Sequence, residues 1–343
     1  MRSLTIVIFL SAYAVAQRWV VQTTGVDTNL RGMSAQYASV DGKRAVILWA
    51  AGSNGVLLRS NDGGANWKQL NIPGGTDLDF RDVEGFGANT AYVMSSGEKG
   101  KSRIYKTTDS GANWKMQYSD ERPGFFLDAL ACDSELHCVA LSDPVDGKFL
   151  VVSTNDGEHW NELPRDQMPA ALAGEGGFAG SGTTIALCGH GDIVFGTGGG
   201  RVVRVIHSSD RSHSWKATET PLASNNPSSG IFSITCSGKS IVAVGGDYKE
   251  PASAKQGAIY SNDFGVTWHL SESEAGGYRS AVAYGPHRTL VAVGPNGSDI
   301  STDGGRHWKT FDHQPFNAAI FSHNSGWAAG PKGTIAILKT GEK

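Results

Sequence analysis

SNDGGANW, from Ser60 to Trp67, decides how the rest of this chain is read, because close variants of it occur six times. The others are TTDSGANW (Thr107 to Trp114), STNDGEHW (Ser153 to Trp160), SSDRSHSW (Ser208 to Trp215), SNDFGVTW (Ser261 to Trp268) and STDGGRHW (Ser301 to Trp308). The common pattern is [ST]-x-D-x-G-x-x-W, and successive tryptophans lie 47, 46, 55, 53 and 40 residues apart. A period of that size marks stacked supersecondary units. The phrase has the chemistry of a tight hairpin turn. A short carboxylate accepts from nearby backbone N–H groups, and glycine supplies positive φ. The aspartate position is held by Asp62, Asp109, Asp210, Asp263 and Asp303, with Asn155 standing there in the third copy and Ser212 replacing the glycine in the fourth. Trp67, Trp114, Trp160, Trp215, Trp268 and Trp308 then begin the return strand and offer an apolar face to a neighbouring unit. These twelve residues are expected to be structural.

The phrase resembles the Asp-box (BNR) repeat of sialidases, xyloglucanases, sortilin-type receptors and the photosystem II assembly/stability factor family, all of them β-propellers. The spacing between boxes agrees, since short apolar runs alternate with Gly, Asn and Asp and no long helical periodicity intervenes. Each repeat reads as four strands with the box joining the third to the fourth. The ends supply half a repeat each. GWAAGPKGTIAILKTGEK at the C-terminus parallels AAGSNGVLLRSNDGG and stops before a box, while Arg18-Trp19-Val20-Val21 looks like the strand that follows one. An all-β, seven-bladed propeller closed by joining the two ends in one blade is the expected fold, and closure removes exposed sheet edges. Six blades with an irregular closure is the competing arrangement.

Net charge is −3, which singles out neither nucleic acid nor an anionic membrane as a partner. Residues 1–16 carry one arginine, an apolar stretch from Leu4 to Leu10 and the ending Ala14-Val15-Ala16, the layout of a secretory signal peptide cut before Gln17. Residues 17–343 then form one exported domain, periplasmic or extracellular, with no transmembrane segment and read as a monomer. Export permits disulfides. Cys132 and Cys138 bracket a turn and are expected to staple it, whereas Cys188 and Cys236 lie in β-like runs of consecutive repeats and read as free, buried thiols. Metal and cofactor motifs are not recognised. The cysteines lack paired zinc spacing, each box carboxylate is engaged by its own turn, and the glycine run Gly196 to Arg201 opens no helix.

Box turns share one rim, so the connectors and the loops between second and third strands gather on the other. Those loops are long in the middle repeats, as in SDPVDGKF (Ser142 to Phe149) and GGDYKEPASAKQG (Gly245 to Gly257), and long loops on a rigid scaffold carry binding. Aligning the inner-strand starts puts Arg31, Arg81, Leu127, Glu175, Phe232, Arg279 and Asn317 at one equivalent position, the mouth of the central channel. Asp82 and Asp128 follow in two repeats. Arg31, Arg81, Asp82, Asp128, Glu175 and Arg279 are therefore the candidate binding residues, since guanidinium groups grip carboxylate, sulfate or phosphate. The bland alternative pairs the arginines internally with Asp82, Asp128 or Glu175.

Two enzyme readings compete. A sialidase needs a tyrosine nucleophile with acidic partners, roles open to Tyr278 with Glu175 or Asp247, but the family's R-I-P motif is absent and its propellers have six blades. An inverting glycosidase needs two carboxylates roughly 6.5–9.5 Å apart, and Asp82, Asp128, Asp143, Glu175 and Asp247 all fall on the loop-rich rim. The closest whole-chain resemblance, over nearly all of residues 18 to 340, is to the photosystem II assembly/stability factor family, carried by LRGMSA, RSNDGGANW, FRDVEGF, YKTTDSGANW and GWAAG. That resemblance implies a non-catalytic propeller binding a protein or glycan on its loop-rich rim. In the photosynthetic members a membrane-protein subunit is bound through an arginine-rich patch, to which Arg31, Arg81 and Arg279 would correspond. Insertions in the fourth and fifth repeats depart from a minimal propeller. The alternative function is a glycoside hydrolase using rim carboxylates.

Overall fold

Seven antiparallel sheets of four strands each are arranged as the blades of a propeller in the computed structural model, which describes residues 17–339 apart from Thr23, Asp41, His190 and Asn225. The expected signal peptide lies outside the described residues. Six blades follow the chain without interruption, beginning with the inner strands Leu30–Val40, Asp79–Phe86, Leu127–Cys132, Ile185–Leu187, Ser229–Ser237 and Ala281–Tyr284. The seventh takes three strands from the C-terminal end, starting with Ala318–Ser322, and its outer strand from the N-terminal end. That strand, Arg18–Gln22, pairs with Ile335–Lys339 from Arg18 opposite Lys339 to Gln22 opposite Ile335. The ring is thus closed as the split repeat required, with seven blades rather than six. No helix among the described residues is long and apolar enough to cross a membrane.

The hydrophobic core is distributed between blades. Seven apolar clusters each join two neighbours. One sets Ile47, Trp49 and Leu57 of blade one against Phe80, Val83 and Val93 of blade two. Another sets Leu30, Leu48 and Leu58 of blade one against Trp327, Ala329 and Ile335 of blade seven. Small residues in the inner strands, such as Ala281 and Ala319, let the blades converge near the axis, and the larger residues fill the widening space outward.

The boxes form one turn, repeated. In blade one, Ser60 Oγ donates to Asp62 Oδ1 at 2.7 Å and accepts the Gly64 N–H at 2.9 Å, while Asp62 Oδ1 accepts the Asn66 N–H at 2.9 Å. The same bonds recur at Thr107/Asp109, Ser208/Asp210, Ser261/Asp263 and Ser301/Asp303. Two consecutive residues turn left-handed in these boxes, and Ser212 takes the glycine place with φ 67°. The third box corrects the sequence alignment. Asn155 does not fill the aspartate position. Asp156 does, accepting from Thr154 Oγ1 at 3.2 Å and from the Glu158 and His159 N–H groups at 2.8 Å each. The anchoring hydroxyl is Thr154 rather than Ser153, so this box is one residue shorter and needs only Gly157 in the left-handed region. The backbone N–H groups hold Asp156 well below the usual carboxylate range.

Cys132 and Cys138 face each other across the blade-three hairpin and are bridged, as expected. Cys188 and Cys236 are not free thiols. They form a second disulfide with Cα atoms 5.6 Å apart, because blades four and five bring their inner strands side by side at this depth. The second bridge ties two blades together across 48 residues of chain and the first closes only 6. Loop-closure entropy then gives about 4 kcal/mol for the interblade bridge and about 2 kcal/mol for the hairpin one. We expect C188S/C236S to lower the denaturation midpoint more than C132S/C138S, measured by chemical unfolding. The box register gives a second test. Asp156→Ala is expected to lower the melting temperature clearly while Asn155→Ala leaves it nearly unchanged, and the reverse order would restore Asn155 to the aspartate position.

Candidate functional site

The loop-rich rim holds a cavity of about 460 Å³ at the mouth of the central channel. Arg31 and Arg81 line it from the inner strands of blades one and two, and Asp128 and Asp143 from blade three. Phe232, Tyr248 and Tyr278 face them from the far side. The floor is formed by blade four. Its inner strand is reduced to Ile185–Leu187, because the glycine-rich chain before it, 174–184, leaves the sheet and crosses the channel mouth.

Blades on every side clamp this strap. Arg31 Nη1 donates to the Gly180 carbonyl at 3.4 Å and Arg81 Nη1 to the Ala179 carbonyl at 2.6 Å. Ser181 Oγ donates to the Ser280 carbonyl at 2.7 Å, Thr183 Oγ1 meets Ser233 Oγ at 2.7 Å, and Asp143 Oδ1 accepts the Gly177 N–H at 2.8 Å. The glycines are required by crowding. At Gly182, with φ +76°, an added Cβ would lie 2.2 Å from the Asp82 carboxylate, and at Gly177 it would lie 2.3 Å from Asp128 Oδ2.

The candidate binding residues separate into three groups. Arg31, Arg81 and Asp128 line the cavity, as do Phe232 and Asn317 from the aligned positions. Arg279 does not. It is fully buried, with Nε donating to Asp299 Oδ2 at 2.6 Å and Nη1 to Asn296 Oδ1 at 2.6 Å, and it is the preceding Tyr278 that lines the cavity. Glu175 is likewise withdrawn, its buried carboxylate locked to the Arg204 guanidinium and to Thr197 Oγ1. Asp82 lies deeper in the channel, where its two oxygens accept the N–H groups of Val83 at 2.7 Å and Leu130 at 3.0 Å. Internal pairing therefore exists, but with partners other than those expected. Arg81 pairs with Asp79 at 2.6 Å, Arg279 with Asp299, and Glu175 with Arg204. Of the residues considered for sialidase roles, Glu175 is sealed in its ion pair, Tyr278 lines the cavity with its hydroxyl pushed up by desolvation, and Asp247 accepts from Asn226 Nδ2 and the Lys249 N–H.

Arg31 is different. No carboxylate among the described residues lies within ion-pair distance of it, and burial together with the neighbouring Arg81 charge lowers its pKa. The Asp79 carboxylate compensates it only from a distance and is itself ion-paired to Arg81, so Arg31 is a desolvated cation with no contact ion pair of its own among the described residues. The aromatic wall adds an apolar face. Phe178 of the strap stacks on Phe232 with centroids 4.0 Å apart, the Tyr278 ring meets Phe232 edge-on at 4.7 Å, and Tyr248 is 47% exposed. The sequence alignment missed Tyr248 and the strap. Five glycines within 174–182 were the available signal.

Carboxyl groups concentrate on the other side. Burial raises Asp143 to about 6, and burial and then the charge of Asp143 raise Asp128 well above the carboxylate range. Deeper in the channel, burial and then Glu84 raise Asp82, while Glu84, two residues on along the same strand face, is pushed up to about 8 by desolvation. Acids with folded pKa values above their unfolded ones favour the folded state most below the unfolded pKa, and that advantage is lost as pH rises through the folded value. For Glu84 the loss runs from about pH 4.5 to about pH 8. Glu84→Gln is therefore expected to raise the melting temperature at pH 8 and to give little gain at pH 4, as read by thermal scans across that range. An equal effect at both ends would remove the titration from the explanation.

The model of the family described as photosynthesis system II assembly factor YCF48 matches residues 9–199, more than half of the 343-residue chain, and a BNR/Asp-box repeat matches residues 259–270. No curated protein sequence matches the chain. Among solved structures it is similar to YCF48 from Cyanidioschyzon merolae, with a TM-score of 0.66 at 17% identity, covering 94% of this chain and 98% of that one. A structure described as YCF48 bound to D1 peptide gives 0.64 at 14% identity, covering 94% and 97%. Virginiamycin B lyase from Staphylococcus aureus gives 0.64 at 13% identity, covering 94% and 98%. At such identities the structural likeness is one of fold, and the family rests on the sequence match. The chain belongs to the photosynthesis system II assembly factor YCF48 family.

Proposed function

We propose that this chain is an exported, monomeric, non-catalytic propeller that captures an anionic segment of a protein partner in the cavity on its loop-rich rim. One observation carries the reading. Arg31 lines a concave pocket with no carboxylate partner among the described residues, opposite an aromatic wall that offers apolar contact. Guanidinium beside aromatic rings is the composition of an interface hot spot, and charge-assisted bonds to Arg31 are strengthened by its burial. A family relative described as bound to a D1 peptide supports a protein segment over a glycan. The leader-like residues 1–16 and two disulfides support an oxidising, extracytoplasmic location.

The glycosidase alternative is favoured by one feature, the approach of Asp128 and Asp143 to the same residue, Gly177. Asp128 lines the cavity but is only 1% exposed, with its Oδ2 close against Gly177, so little of its carboxyl is open to a glycosidic oxygen. Binding is the better use of this pocket.

The test is affinity capture from an envelope extract of the source cell, with mature protein and Arg31→Gln as parallel baits. Arg31 is preferred to Arg81, whose guanidinium also holds Asp79 and Ala179. Loss of a desolvated charge pair weakens binding by about 2 kcal/mol or more, roughly thirtyfold. A partner retained by the first bait and lost by the second, at equal melting temperature, is the expected result. Equal retention by both would remove Arg31 from the interface.

A further inference from the structure

We infer that the rim cavity is acid-selective: Asp143 shares it with Arg31 and Arg81, so an anionic ligand is held when the Asp143 carboxyl is protonated and repelled when it is ionised. The inference rests on the cavity being the binding site proposed above and adds how that site is regulated.

The arrangement is unusual in what it omits. Asp143 lies where the second strand of blade three, Cys138–Val145, loses register between Ser142 and Val145. This places its half-buried carboxyl in the cavity wall, and the hydrogen bond found for it is from the Gly177 N–H. No cation among the described residues lies within ion-pair distance of it, whereas Asp79, Glu175 and Asp299 each have an arginine. Behind it, Asp128 Oδ2 is buried without a hydrogen-bond partner, so this second carboxyl adds no fixed counter-charge while it stays protonated. Two arginines and two acids thus share one desolvated space, and the sign the ligand meets depends on how many acids are ionised.

The groups facing Asp143 set the direction. Desolvation disfavours its ionisation and the Gly177 N–H favours it, while its charge in turn disfavours ionisation of Asp128, which Arg81 on blade two favours; Arg31 on blade one lines the same cavity. On the far wall, burial pushes the Tyr278 hydroxyl further up, so it adds no negative charge. Beyond the strand end, Arg165 and Lys148 donate to backbone carbonyls of Val145 and Arg165, and under the strap Glu175 is neutralised by Arg204. Burial raises Asp143 to about 6. Below that pH, with Arg81 paired to Asp79, Arg31 gives the cavity a net positive charge. Above it, the Asp143 carboxylate offsets that charge. A ligand carboxylate, sulfate or phosphate loads under acid conditions and is released toward neutrality.

Benzenesulfonate is a suitable probe, because its charge is constant from pH 5 to pH 8 and its ring fits the Phe232 and Tyr248 wall. Titration calorimetry on the mature protein is expected to show a Kd about tenfold higher at pH 7.5 than at pH 5, the effect of one unit charge acting across the cavity. In Asp143→Asn, which keeps an acceptor for the Gly177 N–H, the ratio of the two Kd values falls to about one. Benzenesulfonamide, uncharged at these pH values, shows no dependence in either protein. A wild-type Kd that is measurable and flat with pH overturns the acid gate and leaves the binding site standing. An undiminished slope in Asp143→Asn overturns the assignment to Asp143, the more so if Asp128→Asn abolishes it. Absence of sulfonate binding by the folded protein at pH 5 overturns the gate and the site together.

Discussion

Every blade of this protein depends on its neighbours for burial. A four-stranded sheet has two faces and cannot cover either by itself, so the apolar residues of each are spent on interfaces such as Trp49 against Val83 or Leu30 against Trp327. A linear array would leave two such faces in water. Pairing Arg18–Gln22 with Ile335–Lys339 completes the blade that covers both. Ring closure is thus the contact on which all other burial rests, and the interblade disulfide Cys188–Cys236 reinforces the ring within its interior.

Once the ring is closed, the channel it encloses must be filled or wetted. Here blade four gives up most of its inner strand to do the filling. The glycine-rich strap spans the mouth, and its carbonyls and N–H groups are satisfied by side chains from several blades. That exchange creates the rim cavity. The strap supplies a floor, the clamping arginines become the cavity's cations, and Phe178 extends the aromatic wall. The residues that clamp the strap therefore also line the cavity, Arg81 held by Asp79 and the Ala179 carbonyl and Arg31 by the Gly180 carbonyl without an ion pair among the described residues.

The buried charges divide along the same line. Asp299 with Arg279 and Glu175 with Arg204 are complete pairs, each making further hydrogen bonds, and they fix loops in place. Asp82, Glu84, Asp128 and Asp143 have no such cations, and desolvation raises all four. Acids held in this way cost stability as pH rises.

The sequence by itself determined the blade count, the turn chemistry and the closure, because these are local or periodic. An Asp box satisfies its bonds within a few residues, and the split repeat is visible at both ends of the chain. Even there, the one-residue shortening at Asp156 escaped a pattern that tolerates Asn155. The site was legible in part. Alignment of inner strands found Arg31, Arg81 and Asp128, which do line the cavity, but it placed Arg279 and Glu175 beside them. Whether an arginine faces the cavity or is taken by Asp299, 20 residues away in sequence, depends on a pairing across strands that no periodicity encodes. The same holds for Cys188 with Cys236 and for the strap. Tertiary structure alone decided those contacts, because they depend on side-chain directions within a blade, on the stacking of neighbouring blades and, for the strap, on the closed ring.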